Sequence, residues 1–285
     1  MTKPSLAAKT KTRSGINSGI DVLECVAASP RSMGLLEISQ AVGMAKSSVH
    51  QLLGSLAERG YVQRHPDRKY SIGIRAWEVG CKATFVEIGR VCEPYMAELV
   101  RTVQEGVSLG LLDGTQMVCI QISESQQAVR VHNPVGERNP AHCLSAGLSL
   151  LAMMPDENVM SLMPKRLAKV TSKTIIAREE LLTELRRVRT RGYSVCRGTW
   201  RMDVAGVAVA IRGIDGRGLA AISVALPLER LTAAHLQKIS AGLLNAAAGI
   251  ERQLGSPIVK SLHLEKPTAT RLSARQAAAA AGISL

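Results

Sequence analysis

Six polar residues on one predicted helix, at residues 45–59, have the chemistry needed to contact DNA bases. The outer face of this helix presents the side chains of Lys46, Ser47, Ser48, His50, Gln51 and Ser55. Side chains of this size and hydrogen-bonding capacity can enter the major groove and bind base edges. Gln51 in particular can form two hydrogen bonds with an adenine. This face therefore has the composition of a recognition helix.

A short basic hairpin is predicted directly after this helix. Gly60 is a natural helix end, and beyond it the apolar period falls from about 3.6 to about 2 residues. That change indicates strands at residues 61–63 and 70–72, joined by a turn at residues 65–68. The hairpin contributes three cations suited to backbone phosphates, namely Arg64, Arg68 and Lys69.

Three short helices have to position these groups. Apolar spacing predicts them at residues 17–28, 34–42 and 45–59, with Gly43 permitting the tight turn between the second and the third. One face of the first helix is expected to contain Ile20, Leu23, Val26 and Ala27. The inner faces of the other two are expected to contain Ile38, Val42, Val49, Leu52 and Leu56. Helices and hairpin together predict a winged helix-turn-helix at residues 15–74.

Composition and charge favour a polyanionic partner. The 285 residues carry a formal net charge of +13, and the sequence pI is about 9.8. Residues 1–90 contain 13 Lys and Arg against 7 Asp and Glu, whereas residues 91–251 contain 18 against 15. The excess lies where contact with phosphates is predicted. Because aromatic residues make up only 2% of a chain that is 46% hydrophobic, the core is expected to be aliphatic.

The cysteines and the termini indicate a cytoplasmic protein. Six cysteines are scattered without a C-x-x-C pair, so neither a disulfide framework nor a metal site is predicted. The sequence contains no signal-peptide pattern and no apolar run long enough to cross a membrane. Residues 1–14 are predicted to be a disordered basic arm, and residues 256–285 a flexible tail.

The rest of the chain predicts a second, α+β domain. Residues 75–90 are expected to form a linker helix, and residues 91–255 a mainly antiparallel sheet with helices packed on it. Asp113-Gly114 and Asp215-Gly216 are typical hairpin turns. The predicted strands lie at residues 107–112, 117–122, 129–132, 193–197, 204–211 and 219–225. The predicted helices lie at residues 91–104, 144–153, 178–191 and 232–254.

The predicted helix-turn-helix also resembles a known family. Residues 36–53, LEISQAVGMAKSSVHQLL, are similar to the helix-turn-helix of the IclR family of bacterial transcriptional regulators. The hairpin end at residues 70–73 is similar as well, and the resemblance extends to about residue 254. Ser39 stands where the family usually has Ala, and Gln51 where many members have Arg. Since Arg prefers guanine or phosphate, Gln51 implies a different operator sequence.

The resemblance implies a dimeric repressor or activator, or a dimer of dimers, bound to a double-stranded operator. It also implies that the second domain is a GAF-like sheet holding a small molecule, commonly an organic or aromatic acid. A family motif appears as NPAHCLSAGLSLLA at residues 139–152, with Leu148 where Lys is usual. Because the N-terminus of the helix that follows suits a carboxylate, Ser145 and Ala146 are predicted contacts. Ser145 is equally a good N-cap.

Two further stretches are similar to the family's ligand pocket. In residues 192–201, GYSVCRGTWR, Cys196 replaces the usual acid. Ser223 matches a strand that faces the ligand, and Ala225 stands where some members have Ser. The changes at Cys196 and Ala225 suggest a bulkier or more apolar acid, attracted by the helix end and by Arg197 or Arg201. Cys196 and Trp200 are also compatible with purely structural roles. The predicted effector contacts are Ser145, Ala146, Cys196, Arg197, Trp200 and Ser223.

Other classes of function receive less support from the residues. An enzyme is not predicted, because no nucleophile motif, phosphate-binding loop or metal-ligand spacing is present, and no cofactor is expected. A helical hairpin that merely packs would expose a similar polar face. A non-specific architectural DNA-binding protein is the main alternative. It would bind without sequence preference, with a steep salt dependence and no response to a ligand.

Overall fold

The computed structural model describes residues 15–80 and 84–255. The chain divides into two compact units between Val86 and Glu87. The predicted basic arm at residues 1–14 and the predicted tail at residues 256–285 lie outside the described residues. Within the described part of the chain, no helix is both long and apolar enough to span a membrane.

The first unit is a winged helix-turn-helix, as the sequence predicts. Its elements are α1 (Gly15–Ala28), α2 (Leu35–Val42), α3 (Lys46–Glu58), β1 (Val62–Arg64), β2 (Tyr70–Ile72) and α4 (Ile74–Gly80). Gly43 ends α2 with a φ of 65°, a left-handed conformation that glycine adopts without steric cost. At the start of α2, the Glu37 carboxylate accepts a hydrogen bond from the Gly34 N–H at 2.7 Å. Both ends of α2 are thus fixed locally.

The core of this unit differs in part from the predicted one. Ile38 and Val49 are fully buried as predicted, and Val42, Leu52 and Leu56 are half-buried against the same cluster. On α1 the buried face is centred on Val22 and Val26, whereas Ile20 is 47% exposed and Ala27 is exposed. The prediction for Ile20 and Ala27 is therefore wrong. Two residues along a helix correspond to a rotation of about 200° around its axis. Because Val22 faces the core, Ile20 points towards the opposite side of the helix.

The hairpin is tied to the segment before α2. Met33 and Tyr70 form two backbone hydrogen bonds, of 2.9 and 2.8 Å, which fix β2 beside that segment. The first strand starts one residue later than predicted, because the Tyr61 N–H still bonds the Leu56 carbonyl of α3 at 2.9 Å. In the turn, Arg68 has a φ of 62°. The position of the hairpin is therefore set by main-chain hydrogen bonds.

The described parts of the predicted linker, residues 75–90, are helical. Residues up to Gly80 belong to α4, and the helix α5 (Thr84–Val103) includes the rest and continues through the predicted helix at residues 91–104. Residues 81–83 lie outside the described part of the chain.

The second unit is built on a six-stranded antiparallel sheet. Its strands are β3 (Gly106–Asp113), β4 (Gln116–Ser123), β5 (Arg138–Pro140), β6 (Ser194–Arg197), β7 (Val204–Arg212) and β8 (Gly218–Pro227). Their order across the sheet is β5-β4-β3-β8-β7-β6. The helices are α5, α6 (Ser145–Ala152), α7 (Asp156–Leu162), α8 (Arg178–Arg191) and α9 (Ala233–Leu254). The predicted α+β class is confirmed.

The two faces of the sheet differ in side-chain size. Val207 and Ile222 belong to the alternating large residues of β7 and β8 that pack against α5 and α9. The opposite face is made of small residues and packs against α6 and α8. On β7 and β8 it is formed by Gly206, Ala208, Ala210, Ala221, Ser223 and Ala225. Because strand side chains alternate between faces, small residues at every second position let α6 lie close to the strands.

One prediction for the second unit is wrong, and one helix was missed. The strand expected at residues 129–132 is irregular, and Val129 is 70% exposed. The partner of β4 is instead β5, with Gln116 opposite Pro140. The helix α7 was not predicted, although Pro155 followed by Asp156 and Glu157 is a helix-start signal.

A glycine in α6 lets the helix pack against the turn that precedes it, and its replacement is predicted to destabilise the second unit. A methyl group added at Gly147 would lie 2.0 Å from the Ala141 carbonyl oxygen, which is a backbone atom. We expect Gly147→Ala to lower the free energy of unfolding by about 1–3 kcal/mol, or more. Chemical denaturation followed by circular dichroism measures the change.

The matched control is Gly54→Ala in α3. Nothing lies within 4 Å of a methyl group added there. This variant should keep or slightly raise helix stability, by up to about 1 kcal/mol. An unchanged unfolding midpoint for Gly147→Ala would contradict the contact between α6 and Ala141.

Candidate functional site

The predicted recognition face of α3 is open to solvent. Lys46, Ser47, Ser48, His50 and Gln51 are all exposed. Val49 and Leu53 lie on the opposite side of the helix and are fully buried. The buried side fixes the helix, and the exposed side is free to approach another molecule.

The hairpin cations differ in how far they are neutralised. Arg64 and Arg68 are exposed and have no ion-pair partner among the described residues. Lys69 lies 3.1 Å from the Asp67 carboxylate. Hydrogen bonds from the side chain and the backbone N–H of Lys69 lower the pKa of Asp67. Arg64 and Arg68 are therefore the more available of the three cations for an anionic partner.

A cavity lies between the small-residue face of the sheet and the start of α6. It contains about 670 Å³ of space between atoms, part of it open to solvent. Its apolar wall includes the side chains of Met117, Leu144 and Val204.

The N-terminus of α6 forms part of the wall. The N-cap is Leu144, whose side chain cannot cap, so the interpretation of Ser145 as N-cap is wrong. Ser145 is instead the first helical residue, and it lines the cavity together with Ala146. The first N–H groups of a helix lack an intrahelical acceptor, and they carry the positive end of its dipole.

Two buried serines fix α6 on the sheet. The Ser194 hydroxyl donates to the Ser145 carbonyl oxygen at 2.6 Å. The Ser149 hydroxyl donates to the Ala208 carbonyl oxygen at 2.9 Å. These bonds join α6 to β6 and β7, so the helix N-terminus has a defined position in the cavity wall.

The polar side chains of the wall mostly bond to one another or to the backbone. The hydroxyl groups of Ser108 and Ser223 lie 2.9 Å apart. Thr199 donates to the Cys143 carbonyl oxygen at 2.7 Å, and Trp200 Nε1 donates to Asn139 Oδ1 at 2.9 Å. Sequence reasoning missed Ser108, Thr199 and Asn139. Strand alternation was an available signal for Ser108, since Val107 and Leu109 are core residues.

Five of the six predicted effector contacts lie together. The wall includes Ser145, Ala146, Cys196, Trp200 and Ser223. The sixth residue, Arg197, is exposed and is not part of the wall. Its neighbours on β6 alternate between faces, which directs its side chain away from Cys196.

Arg201 also lies outside the wall. Its guanidinium group sits 5.6 Å from the centre of the Trp200 ring and 3.3 Å from the Asp203 carboxylate. Neither arginine suggested from the sequence lines the cavity. The positive end of α6 is therefore the electrostatic feature of the wall that suits an anion.

Three cysteines lie in the wall as neutral thiols. Burial raises the pKa of Cys143 to about 12, and that of Cys119 and Cys196 to about 11. No group of three His, Cys, Asp or Glu side chains in the described ranges could hold a metal ion. The thiols thus act as small apolar surface.

Comparison with known proteins agrees with this architecture. Residues 18–66 match the model of the IclR helix-turn-helix domain, and residues 83–252 match the bacterial transcriptional regulator IclR C-terminal domain. The winged helix-turn-helix and the cavity-bearing sheet thus define a ligand-responsive, DNA-binding transcriptional regulator. The chain belongs to the IclR family. The matched relatives are transcriptional regulators, a class distinct from enzymes.

The individual relatives are distant but cover most of the chain. It is 34% identical to the HTH-type transcriptional regulator Rv1719 of Mycobacterium tuberculosis over 79% of this chain and 88% of that protein. It is 31% identical to KdgR of Dickeya chrysanthemi over 89% of this chain and 85% of that protein. An IclR homologue from Microbacterium hydrocarbonoxydans, solved in complex with 4-hydroxybenzoate, has a TM-score of 0.75 and 26% identity. That match covers 85% of this chain and 99% of the homologue.

The cavity cysteines should resist alkylation in the folded protein. With pKa values of about 11 to 12, the reactive thiolate fraction of Cys119, Cys143 and Cys196 at pH 8 is on the order of 10⁻³ or less. We expect iodoacetamide to leave these three residues unmodified at pH 8, and peptide mass spectrometry identifies the labelled sites. The control is the same reaction in denaturant, which should label all three. Rapid labelling of Cys196 in the native protein would contradict its burial.

Proposed function

We propose that the protein binds operator DNA as a homodimer, and that a small aromatic carboxylic acid in the cavity changes its affinity for that DNA. The observation behind the proposal is the cavity itself, whose largely apolar wall includes the N-terminus of α6. Family membership supplies the regulatory context.

The carboxylate of the acid would bind the first N–H groups of α6, at Ser145 and Ala146. These groups lack intrahelical acceptors, and the helix dipole favours a negative charge there. No Lys, Arg or His lines the cavity, so backbone groups are the anion donors that the wall offers. A single carboxylate fits this arrangement better than a highly charged ligand.

The rest of the acid would lie against the apolar wall. Met117, Leu144 and Val204 provide aliphatic surface, and the half-buried Trp200 provides an aromatic face. Apolar contact contributes about 25 cal/mol per Å² removed from water, which favours a ring over a two-carbon acid. The homologue solved with 4-hydroxybenzoate supports this class of effector.

On the DNA side, α3 would lie in the major groove and the hairpin along the backbone. Lys46, Ser47, Ser48, His50 and Gln51 would face bases and nearby phosphates, and Arg64, Arg68 and Lys69 the phosphates. Two such units in a homodimer would bind the halves of a near-palindrome, in the cytoplasm, and two dimers could combine as a tetramer. Effector binding would change operator affinity by about 1–3 kcal/mol.

Two variants of the first unit should test the phosphate contacts and the base contacts separately. Arg68→Gly removes a charge at a left-handed position where glycine has no backbone cost, and it should reduce the slope of log K against log salt by about 0.9. Gln51→Ala should instead lower the preference for operator over scrambled DNA by about 1–3 kcal/mol. Fluorescence anisotropy titrations at several salt concentrations measure both effects.

Arg217→Ala is the control, since Arg217 is an exposed cation of the second unit. It should leave both the slope and the preference unchanged. If Arg217→Ala reduced the slope of log K against log salt as much as Arg68→Gly does, the phosphate contacts would not be specific to the hairpin. No preference for operator in the unmodified chain would favour the architectural alternative.

Filling the cavity should abolish the response to the acid while leaving DNA binding intact. Ala225 lies in the wall on β8, and Ala225→Leu adds a bulky side chain there. We expect this variant to bind the operator without acid as the unmodified protein does, but to lose most of its affinity for benzoate-type acids. Calorimetry and mobility shifts with and without each acid measure the two properties.

The matched ligand control is the amide of each acid, which has the same shape but no charge. The amide should bind weakly because it loses the interaction with the helix dipole. Equal binding of acid and amide would contradict carboxylate recognition by α6.

A further inference from the structure

Glu137 is the single ionisable residue of the cavity wall that is ordinarily charged at neutral pH. Among the lining residues, all of which lie in the described part of the chain, there is no Asp, Lys, Arg or His. Oε2 of Glu137 is buried and has no hydrogen-bond partner. A buried acceptor without a donor is costly, and more so when it is charged.

The backbone holds Glu137 in place. Its carbonyl oxygen accepts a hydrogen bond from the Cys119 N–H at 3.1 Å, and its N–H donates to the Pro134 carbonyl oxygen at 3.1 Å. Next to it, the Gly136 N–H donates to the Cys119 carbonyl oxygen at 2.7 Å. The segment before β5 is thus paired with β4, and the Glu137 side chain starts from a fixed position in the wall.

Three of the nearby donors and cations are engaged elsewhere. The guanidinium group of Arg138 lies 2.7 Å from the Asp113 carboxylate. The Thr199 hydroxyl donates to the Cys143 carbonyl oxygen, and Trp200 donates to Asn139. Within the described residues, Glu137 has neither an ion pair nor a side-chain hydrogen bond. A hydrogen-bond donor on a molecule in the cavity would therefore pair with this carboxylate.

We propose that Glu137 is a specificity-determining residue that selects effectors carrying a hydrogen-bond donor, a hydroxyl or amino group, in addition to the carboxylate. This inference rests on the proposed function in one respect, that the effector occupies this cavity. A site built to bind a donor rejects the analogue that lacks it, because its own buried polar group then stays unpaired. The effector class is thereby narrowed from aromatic acids to hydroxy- or amino-substituted aromatic acids.

The first test needs no ligand. Glu137→Gln replaces the carboxylate with a neutral amide, which costs less to bury without a partner. We expect the melting temperature of the ligand-free protein to rise by about 2–6 °C. Glu93→Gln is the control, since it removes the same charge from an exposed position on α5 and should change the melting temperature little. A lower melting temperature for Glu137→Gln would mean that the carboxylate is already stabilised, and would overturn the proposal.

The second test compares matched probes by calorimetry on the full chain. The probes are benzoate, 4-hydroxybenzoate, 3-hydroxybenzoate, 4-aminobenzoate and 4-methoxybenzoate, the last of which resembles the hydroxy acid but cannot donate. We expect at least one hydroxy or amino acid to bind roughly 10- to 100-fold more tightly than benzoate and 4-methoxybenzoate. In Glu137→Gln this ratio should fall towards one, whereas in Glu93→Gln it should persist.

The outcomes distinguish the two proposals. If all the acids bind equally, and Glu137→Gln changes none of them, the specificity proposal is wrong and the proposed function stands. If none of the acids binds, the aromatic-acid proposal fails, and the melting temperature of Glu137→Gln still decides whether the carboxylate is unpaired. A donor preference that is unchanged in Glu137→Gln would assign the selectivity to another residue and overturn the inference.

Discussion

The close contact between α6 and the sheet is the constraint on which the second unit depends. A methyl group added at Gly206 of β7 would lie 2.7 Å from the Ser145 hydroxyl, and β7 and β8 offer α6 only small residues such as Ala208. Hydrogen bonds from Ser149 and Ser194 hold the helix at that distance. Where α6 begins, the same small residues leave space unfilled. One packing requirement thus leaves the cavity open and places the free N–H groups of α6 in its wall.

The cavity combines apolar surface with very few charged side chains. The guanidinium groups of Arg197 and Arg201 lie outside the wall, and the wall's thiols remain protonated because burial raises their pKa values. An anion inside the cavity would therefore meet fixed backbone dipoles, while Glu137 would provide an unpaired carboxylate oxygen. On our proposals, such a wall would distinguish ligands by the position of their polar groups more than by their net charge.

The first unit is organised in the opposite way. Its buried residues, among them Val22, Ile38 and Leu53, form a small aliphatic core, and its cations are exposed. The main-chain pairing of Met33 with Tyr70 fixes the hairpin, so Arg64 and Arg68 are presented without ion-pair partners in the described part of the chain. A rigid core with unneutralised surface charge suits a partner that is large and polyanionic.

Local patterns in the sequence determined the element types, the winged helix-turn-helix, the α+β class and most of the helix and strand limits. Periodicity and turn residues depend only on residues that are close together in the chain, so they can be recognised without knowing the fold. Tertiary structure decided which side of α1 is buried, that residues 138–140 rather than 129–132 pair with β4, and that Arg197 is not in the wall. It also revealed Ser108 and Glu137, because a wall assembled from six strands and a helix brings together residues that are more than 100 positions apart.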